Sequence, residues 1–293
     1  MNEEKVLTNA LVLELGLDKV DVITSDMLEG YTRIGYEAFR VCDNLKSITI
    51  PNSVTLIEDY AFFGCSSLKS INIPNSVTDI CKCAFFICSS LINIKIPESI
   101  ISISESTFNG CSSLRTIIIP NSVTSIEDSA FEDCYNLTEI TIPDSVTSIG
   151  RFAFNGCYSL KSIIIPNSVV CFGTDVFYRC RNLNSMTIDD KTYETQEVVN
   201  GKCKAYKAFY ADLTCRRFQY EEGKTYEYDG EPILCEQGFH ACLRLTDVFN
   251  YYYGVIGKVI VVHEVELEGV SDKKNDDDSK VVAKKITIGK RIL

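Results

Sequence analysis

The sequence predicts an α/β solenoid, a stack of about seven coils that each contribute one short parallel strand, followed by a small C-terminal α+β domain. Three observations carry this. Phe recurs at positions 39, 62, 85, 108, 131, 154 and 177, and Cys at 42, 65, 88, 111, 134, 157 and 180, both at an unbroken period of 23 residues. A fixed period of that length marks a repeat architecture. The frame between these landmarks returns as well, and after residue 188 both the period and the frame stop while aromatic residues become denser.

One copy of the frame reads Leu68, Ile71, Ile73, Pro74, Ser76, Val77, Ile80, Ala84, Phe85, Cys88. Ile71 and Ile73 alternate with polar residues, which predicts a strand with one buried face, and Pro74 ends it by removing a backbone donor. The spacing from Val77 to Cys88 fits a return path of helical or 3₁₀ turns with its apolar side inward. A lone coil of this size buries too little apolar surface to offset the entropy of ordering its backbone. Stacking supplies the missing burial, so the array is the stable unit.

This frame, IPNSVTxIxxxAFxxCxxLxxIxI over residues 31–188, resembles the BspA-type (Treponema pallidum-type) leucine-rich repeat. The resemblance implies a right-handed leucine-rich-repeat solenoid with a binding role, on surfaces in bacterial and protozoan relatives. It brings no catalytic residue.

Residues 1–33 read as an N-terminal cap. Residues 5–16 form an amphipathic helix, with Thr8 or Asn9 as its cap and Leu11, Leu13 and Leu15 near its apolar side. Residues 20–34 are a degenerate coil in which Ser25 and Met27 stand at the strand positions. Regular coils follow over 34–188, with apolar or nearly isosteric departures at Ile100, Thr107, Phe172, Val176 and Met186. Residues 189–202 are a polar linker with a turn at Asn200 and Gly201.

The chain has 14 cysteines, seven of them at the repeated core position. Thiols in register along a stack point the same way, a poor geometry for bridging, so these are expected to be reduced core residues. Cys81 and Cys83 lie on the return path of one coil, with exposure expected. Net charge is -11, and acid exceeds base both within 1–188 and after it. That balance opposes nucleic-acid backbone binding. The start is acidic with a short apolar run, and no stretch reaches the length of a membrane span, so the chain as written is expected in the cytoplasm without membrane insertion. Surface display would need a leader removed beforehand.

On the strand face pointing away from the core, Lys46, Lys69, Asn72, Asn93, Lys95, Arg115, Glu139 and Lys161 line one strip, with Ile92, Ile118 and Ile164 at further outward positions. The strip is cationic on an acidic chain, whereas the return paths carry Glu58, Asp59, Glu127, Asp128, Glu132 and Asp133. This segregation predicts a recognition surface for a protein or glycan partner.

Residues 203–293 form the C-terminal α+β domain. Strands are predicted at 204–209, 259–267 and 286–288, a short helix capped by Thr246 at 246–252, and a charged loop at 272–279. Cys235, His240 and Cys242 match no common zinc spacing, so neither metal nor cofactor is expected. His263, inside an apolar strand, reads as structural. The segments KAYKAF, CEQGFHAC and DVFNYY resemble an uncharacterised domain of bacterial and phage proteins. A second likeness runs to ADP-ribosyltransferases, through Gly238, Phe239, His240 and Ala241, then Tyr251, then residues 264–269. It implies that His240 and Tyr251 sandwich a nicotinamide ring. The family's first-strand His falls near Lys207 and its catalytic Glu near Lys284 or Lys285, so the alternative reading is an inactive, NAD- or nucleotide-binding domain targeted by the repeat.

Overall fold

The computed structural model describes residues 4–188, 190–194, 196–197, 199–200, 202–210, 214–215, 218–227, 239–242, 244–248, 260–270 and 280–292. The chain divides into two compact units, Met1–Leu183 and Asn184–Leu293.

The first unit is a solenoid whose strands pair in parallel with a shift of 23 residues. Ser47–Thr49 pairs with Ser70–Asn72, and Thr116–Ile118 with Glu139–Thr141, each residue opposite its counterpart in the next coil. The return path holds a second ladder that the sequence reading assigned to helical turns. Two-residue strands such as Leu56–Ile57 and Asp79–Ile80, or Ser125–Ile126 and Ser148–Ile149, pair there in the same register. Turns with i→i−3 bonds then close the coil, as from Phe63 N to Tyr60 O at 2.9 Å and from Cys65 N to Phe62 O at 3.2 Å.

The backbone on the turn side explains why no α-helix forms. Two columns of residues per coil lie in the left-handed region. One runs Glu37, Tyr60, Cys83, Ser106, Ser129, Phe152, Asp175, with φ from 52° to 58°. The other runs Val41, Gly64, Ile87, Gly110, Asp133, Gly156, Arg179, with φ from 56° to 73°. A non-glycine residue there costs about 1–2 kcal/mol. The conformation turns its N–H toward the next coil. Tyr60 N bonds Lys82 O at 3.1 Å, Gly64 N bonds Phe86 O at 2.8 Å, and between them Phe62 N bonds Ala84 O at 2.8 Å. From Glu37 and Val41 through Phe152 and Gly156, each of these residues thereby gains an inter-coil hydrogen bond.

The repeated side chains do the same. Phe39, Phe62, Phe85, Phe108, Phe131, Phe154 and Phe177 form one stack, with centroids 5.1 to 5.8 Å apart and planes within 11° of parallel. The repeated Cys donates its thiol to the Phe carbonyl of the preceding coil, as from Cys65 to Phe39 O at 2.9 Å and from Cys111 to Phe85 O at 3.2 Å. The repeated Ser likewise caps the preceding coil, as from Ser76 to Val54 O and from Ser122 to Ile100 O. The seven thiols of this column are free and buried. Burial raises the pKa of Cys65, Cys88, Cys111, Cys134 and Cys157, while Cys42 reaches about 11 through burial, with Asp18 and Asp43 adding to it. Of the pair expected to be exposed, Cys83 is buried and Cys81 half-buried. Exposure falls instead on Cys171, in the position of Ser125 and Ser148.

The ladders loosen at one coil. The return ladder is split between Ile80 and Ser102, and on the strand side Lys95 makes only an isolated bridge to Ile118. Here Thr107 stands where Ala84 and Ala130 stand in neighbouring coils, and Ile100 replaces Val, so extra side-chain volume enters a tight wall. The Ser104 hydroxyl reaches Ile80 O at 2.8 Å across the seam.

The N-terminal coil differs from the reading above. Instead of one helix over 5–16, Val6–Leu7 is a strand paired with Arg33–Ile34, and the helix is confined to Asn9–Glu14. Thr8 is its cap, accepting from Leu11 N. Leu13 and Leu15 are exposed, because the buried positions are Leu7, Val12 and Leu17. The strand of this coil is Val22–Ile23, paired with Ser47 and Ile48, while Ser25–Leu28 is a 3₁₀ turn with Met27 outward. Extra residues in this coil displace its strand from the 23-residue grid.

In the second unit Ser185–Ile188 pairs antiparallel with Lys191–Glu194, so part of the expected linker is strand. Lys202–Tyr210, Ile260–Val270 and Lys280–Arg291 are long antiparallel neighbours, and Phe239–Cys242 joins the last to the first through Tyr206 and Cys242. The sheet therefore closes on itself. Small side chains at Ala205, Ala241 and Ala283 sit in its core with Val265, Leu267 and Ile288. Thr246 lies inside the short helix Leu245–Val248 rather than capping it. The predicted loop at 272–279 and the helix beyond residue 248 fall outside the described residues.

Phe108→Asp places an unpaired charge inside the ring stack. Several coils should unfold together in a thermal melt, with loss of amide protection at Phe85 and Phe131 as well as at 108; an unchanged midpoint would contradict the register. The thiol column also sets a pH dependence. The folded pKa values of Cys42, Cys65, Cys88, Cys111, Cys134 and Cys157 are raised by burial, so the stabilisation they carry is complete below the unfolded thiol pKa of about 8.5 and declines above it, by up to about 1.4 kcal/mol per pH unit for each of these thiols. Chemical denaturation from pH 7 to 10 should show that decline, with a shallower slope in Cys111→Ala.

Candidate interaction surface

A solenoid places equivalent positions of successive coils in columns, because the register repeats without slip. In the strand ladder side chains alternate between core and solvent: Ile117 is buried between the exposed Thr116 and Ile118, and Ile163 between Ser162 and Ile164. Lys46, Lys69, Asn72, Asn93, Lys95, Arg115, Glu139 and Lys161 are all exposed on this face.

Their electrostatic states differ. Lys46 lies 2.6 Å from Asp21 and is neutralised by it. Lys69, Lys95, Arg115 and Lys161 make no ion pair among the described residues. Four of the return-path acids, Glu58, Glu127, Asp128 and Glu132, are engaged. Glu58 lies 2.6 Å from Arg33 and accepts from Tyr36 N at 2.8 Å. Glu127 accepts from Ser102 Oγ at 2.7 Å and from Glu105 N at 3.1 Å. Asp128 accepts from Arg151 N at 2.6 Å, and Glu132 joins Asn109 and Asn155 across three coils at 3.0 and 2.6 Å. Burial raises the Asp133 pKa. The segregation seen in the sequence thus divides structural acids from uncommitted cations.

Apolar side chains are exposed here as well. Ile118 is 79 % exposed, Ile164 57 % and Ile92 44 %. Alternation places Ile118 and Ile164 outward, between Ile117 and Ile119 and between Ile163 and Ile165, whereas Ile92 stands two residues before the buried Ile94.

In the second unit, His240 lies in the strand Phe239–Cys242 opposite Val282, and Tyr251 lies outside the described residues. Lys207 is buried, its Nζ 5.9 Å from the Tyr220 ring centroid, and pairs in register with His263. His263 Nδ1 is 2.9 Å from Gly289 O, so that nitrogen carries the proton, and the ring serves the sheet. Lys284 is exposed and Lys285 lies 3.4 Å from Glu227. Lysines therefore stand where the transferase likeness would need its carboxylate. Among the described residues no cluster of three His, Cys, Asp or Glu gathers to hold a metal, and no helix is long and apolar enough to cross a membrane.

Parallel ladders in a 23-residue register, with one wall of outward side chains, define a leucine-rich-repeat solenoid, a class of protein whose members generally serve as interaction scaffolds. The chain belongs to the BspA type leucine rich repeat family, whose model matches residues 32–140 and 124–219. Residues 203–293 match a domain of unknown function, DUF7666. Among solved structures, the leucine rich repeat protein of T. pallidum is similar at 31 % identity and a TM-score of 0.52, over 56 % of this chain and 78 % of that one. A leucine rich cell surface protein of Faecalibacterium prausnitzii shares 35 % identity with a TM-score of 0.49, over 59 % of this chain and 46 % of its own length. No curated protein matches the sequence.

Proposed function

We propose that this chain is a non-enzymatic binding protein that holds a macromolecular partner, a protein or glycan surface, on the outward strand face of its solenoid. The observation that carries this reading is the row of exposed cations Lys69, Lys95, Arg115 and Lys161, without ion pairs among the described residues, on a chain of net charge -11. Like charges held in a row with no internal partner destabilise the fold slightly, and an anionic surface offsets that. Rim charges of this kind set association rate and salt dependence more than affinity, so binding should weaken as ionic strength rises.

The test is an affinity capture from source-organism and host lysates with the full chain beside Lys69→Glu/Arg115→Glu/Lys161→Glu. All three side chains are exposed, so the variant should melt within a few degrees of the parent. A partner retained by the parent and absent from the variant is the expected outcome. Equal capture by both would move the binding surface away from the strand face.

A further inference from the structure

We infer that the partner presents an acidic amphipathic helix, laid along the solenoid axis across the strand face; this rests on the reading of that face as the binding surface. The outward side chains form two columns. One, on the residue just before each strand position, runs Lys69, Ile92, Arg115, Thr138, Lys161, and the other, three residues further along the chain at outward strand positions, runs Asn72, Lys95, Ile118, Thr141, Ile164, all of them exposed. Arg115 with Ile118 recurs two coils later as Lys161 with Ile164. The coil between them offers Thr138, Glu139 and Thr141, with neither a cation nor an exposed aliphatic side chain.

The spacing of this pattern selects the shape of the ligand. Two coils at parallel strand spacing advance about 9.6 Å, and an α-helix brings the same face round every seven residues, about 10.5 Å. Flexible lysine and arginine stems absorb the difference. Across the face, three residues of strand separate the columns by about 10 Å, so a helix about 10–12 Å wide reaches both, whereas one extended chain, about 4.8 Å from its neighbours in a ladder, covers only one. An extended chain recognised by strand addition also needs an open sheet edge. On this face the main-chain groups are bonded from coil to coil, as from Lys69 N to Lys46 O at 2.8 Å and from Thr138 N to Arg115 O at 3.0 Å. Side chains are what the face offers.

Chemistry selects the sequence of that helix. Arg115 and Lys161 call for carboxylates at a heptad interval. Ile118 and Ile164, 79 % and 57 % exposed, call for aliphatic residues beside them, which a purely anionic polymer does not provide. The apolar column fixes the lateral position of the helix, and the cations fix its phase along the axis.

Two fluorescent peptides of about 21 residues separate the possibilities. One carries Glu and Leu in adjacent positions of three heptads, and the other has the same composition with the heptad phase broken. With the full chain, the heptad peptide should bind about tenfold more tightly than the permuted one and gain helical circular dichroism on binding. Arg115→Glu/Lys161→Glu should weaken it about tenfold, and Ile118→Ser/Ile164→Ser about fivefold, with unchanged thermal midpoints. Equal binding of both peptides, no binding of either, or indifference to the isoleucine substitutions overturns the helix. Dextran sulfate bound through Arg115 and Lys161 where the heptad peptide is not also overturns it, and that result leaves the strand-face reading standing. That reading fails by the lysate capture instead.

Discussion

The constraint on which this structure depends is hydrogen bonding between coils in an unbroken 23-residue register. A coil in isolation leaves backbone donors facing solvent on its strand, on its return path and at its two left-handed positions. Each is satisfied by the coil beside it. The same register puts the repeated Ser and Cys within reach of carbonyls in the preceding coil, Ser76 on Val54 O and Cys65 on Phe39 O. Polar and apolar stabilisation are therefore the same geometric fact. An in-register stack also brings the phenylalanine rings within 5.1 to 5.8 Å of one another.

That constraint explains which substitutions the repeat tolerates. Outward strand positions vary freely among Lys, Ser, Asn, Thr, Ile and Glu, since they touch no neighbouring coil's core. Positions on the closely packed wall do not. Thr107 in the place of an alanine coincides with the split in the return ladder, where Ser104 bonds through its hydroxyl. Gly150 and Gly173 lie so near the preceding coil that an added Cβ would come within 2.6 Å of its backbone. Variation of the solenoid is thereby channelled to its outward face, the one on which recognition is proposed.

Charge follows the same division. Acids on the return path hold backbone N–H groups and asparagine amides, as Asp128 does for Arg151 N and Glu132 for Asn109 and Asn155. Among the described residues, the cations Lys69, Lys95, Arg115 and Lys161 make no ion pair, whereas Lys46 meets Asp21 at 2.6 Å. The strip is thus a field source directed outward. The closed sheet of residues 202–291 is organised differently, with alanines in its core and long antiparallel strands in place of repeated columns.

The sequence by itself determined the solenoid, its period and its core columns, because a 23-residue repeat copies one local solution seven times. It also placed the strands Lys202–Tyr210 and Ile260–Val270 of the C-terminal domain, and residues 286–288 of the longer strand Lys280–Arg291. What it left to the tertiary structure were features that exist only between coils or between distant strands. The return-path ladder uses two residues per coil, too few to alternate. The left-handed positions carry Glu, Tyr, Cys, Ser, Phe and Asp alike in one column, so no residue type announces them. The N-terminal coil lies off the grid, and Leu11, Leu13 and Leu15 suggested a face that Leu7, Val12 and Leu17 in fact provide. Closure of the second sheet rests on Tyr206 meeting Cys242, a pairing with no local signal. Whether a charged side chain is free or engaged is equally non-local, since Lys46 and Lys69 occupy the same column and only Lys46 has Asp21 beside it.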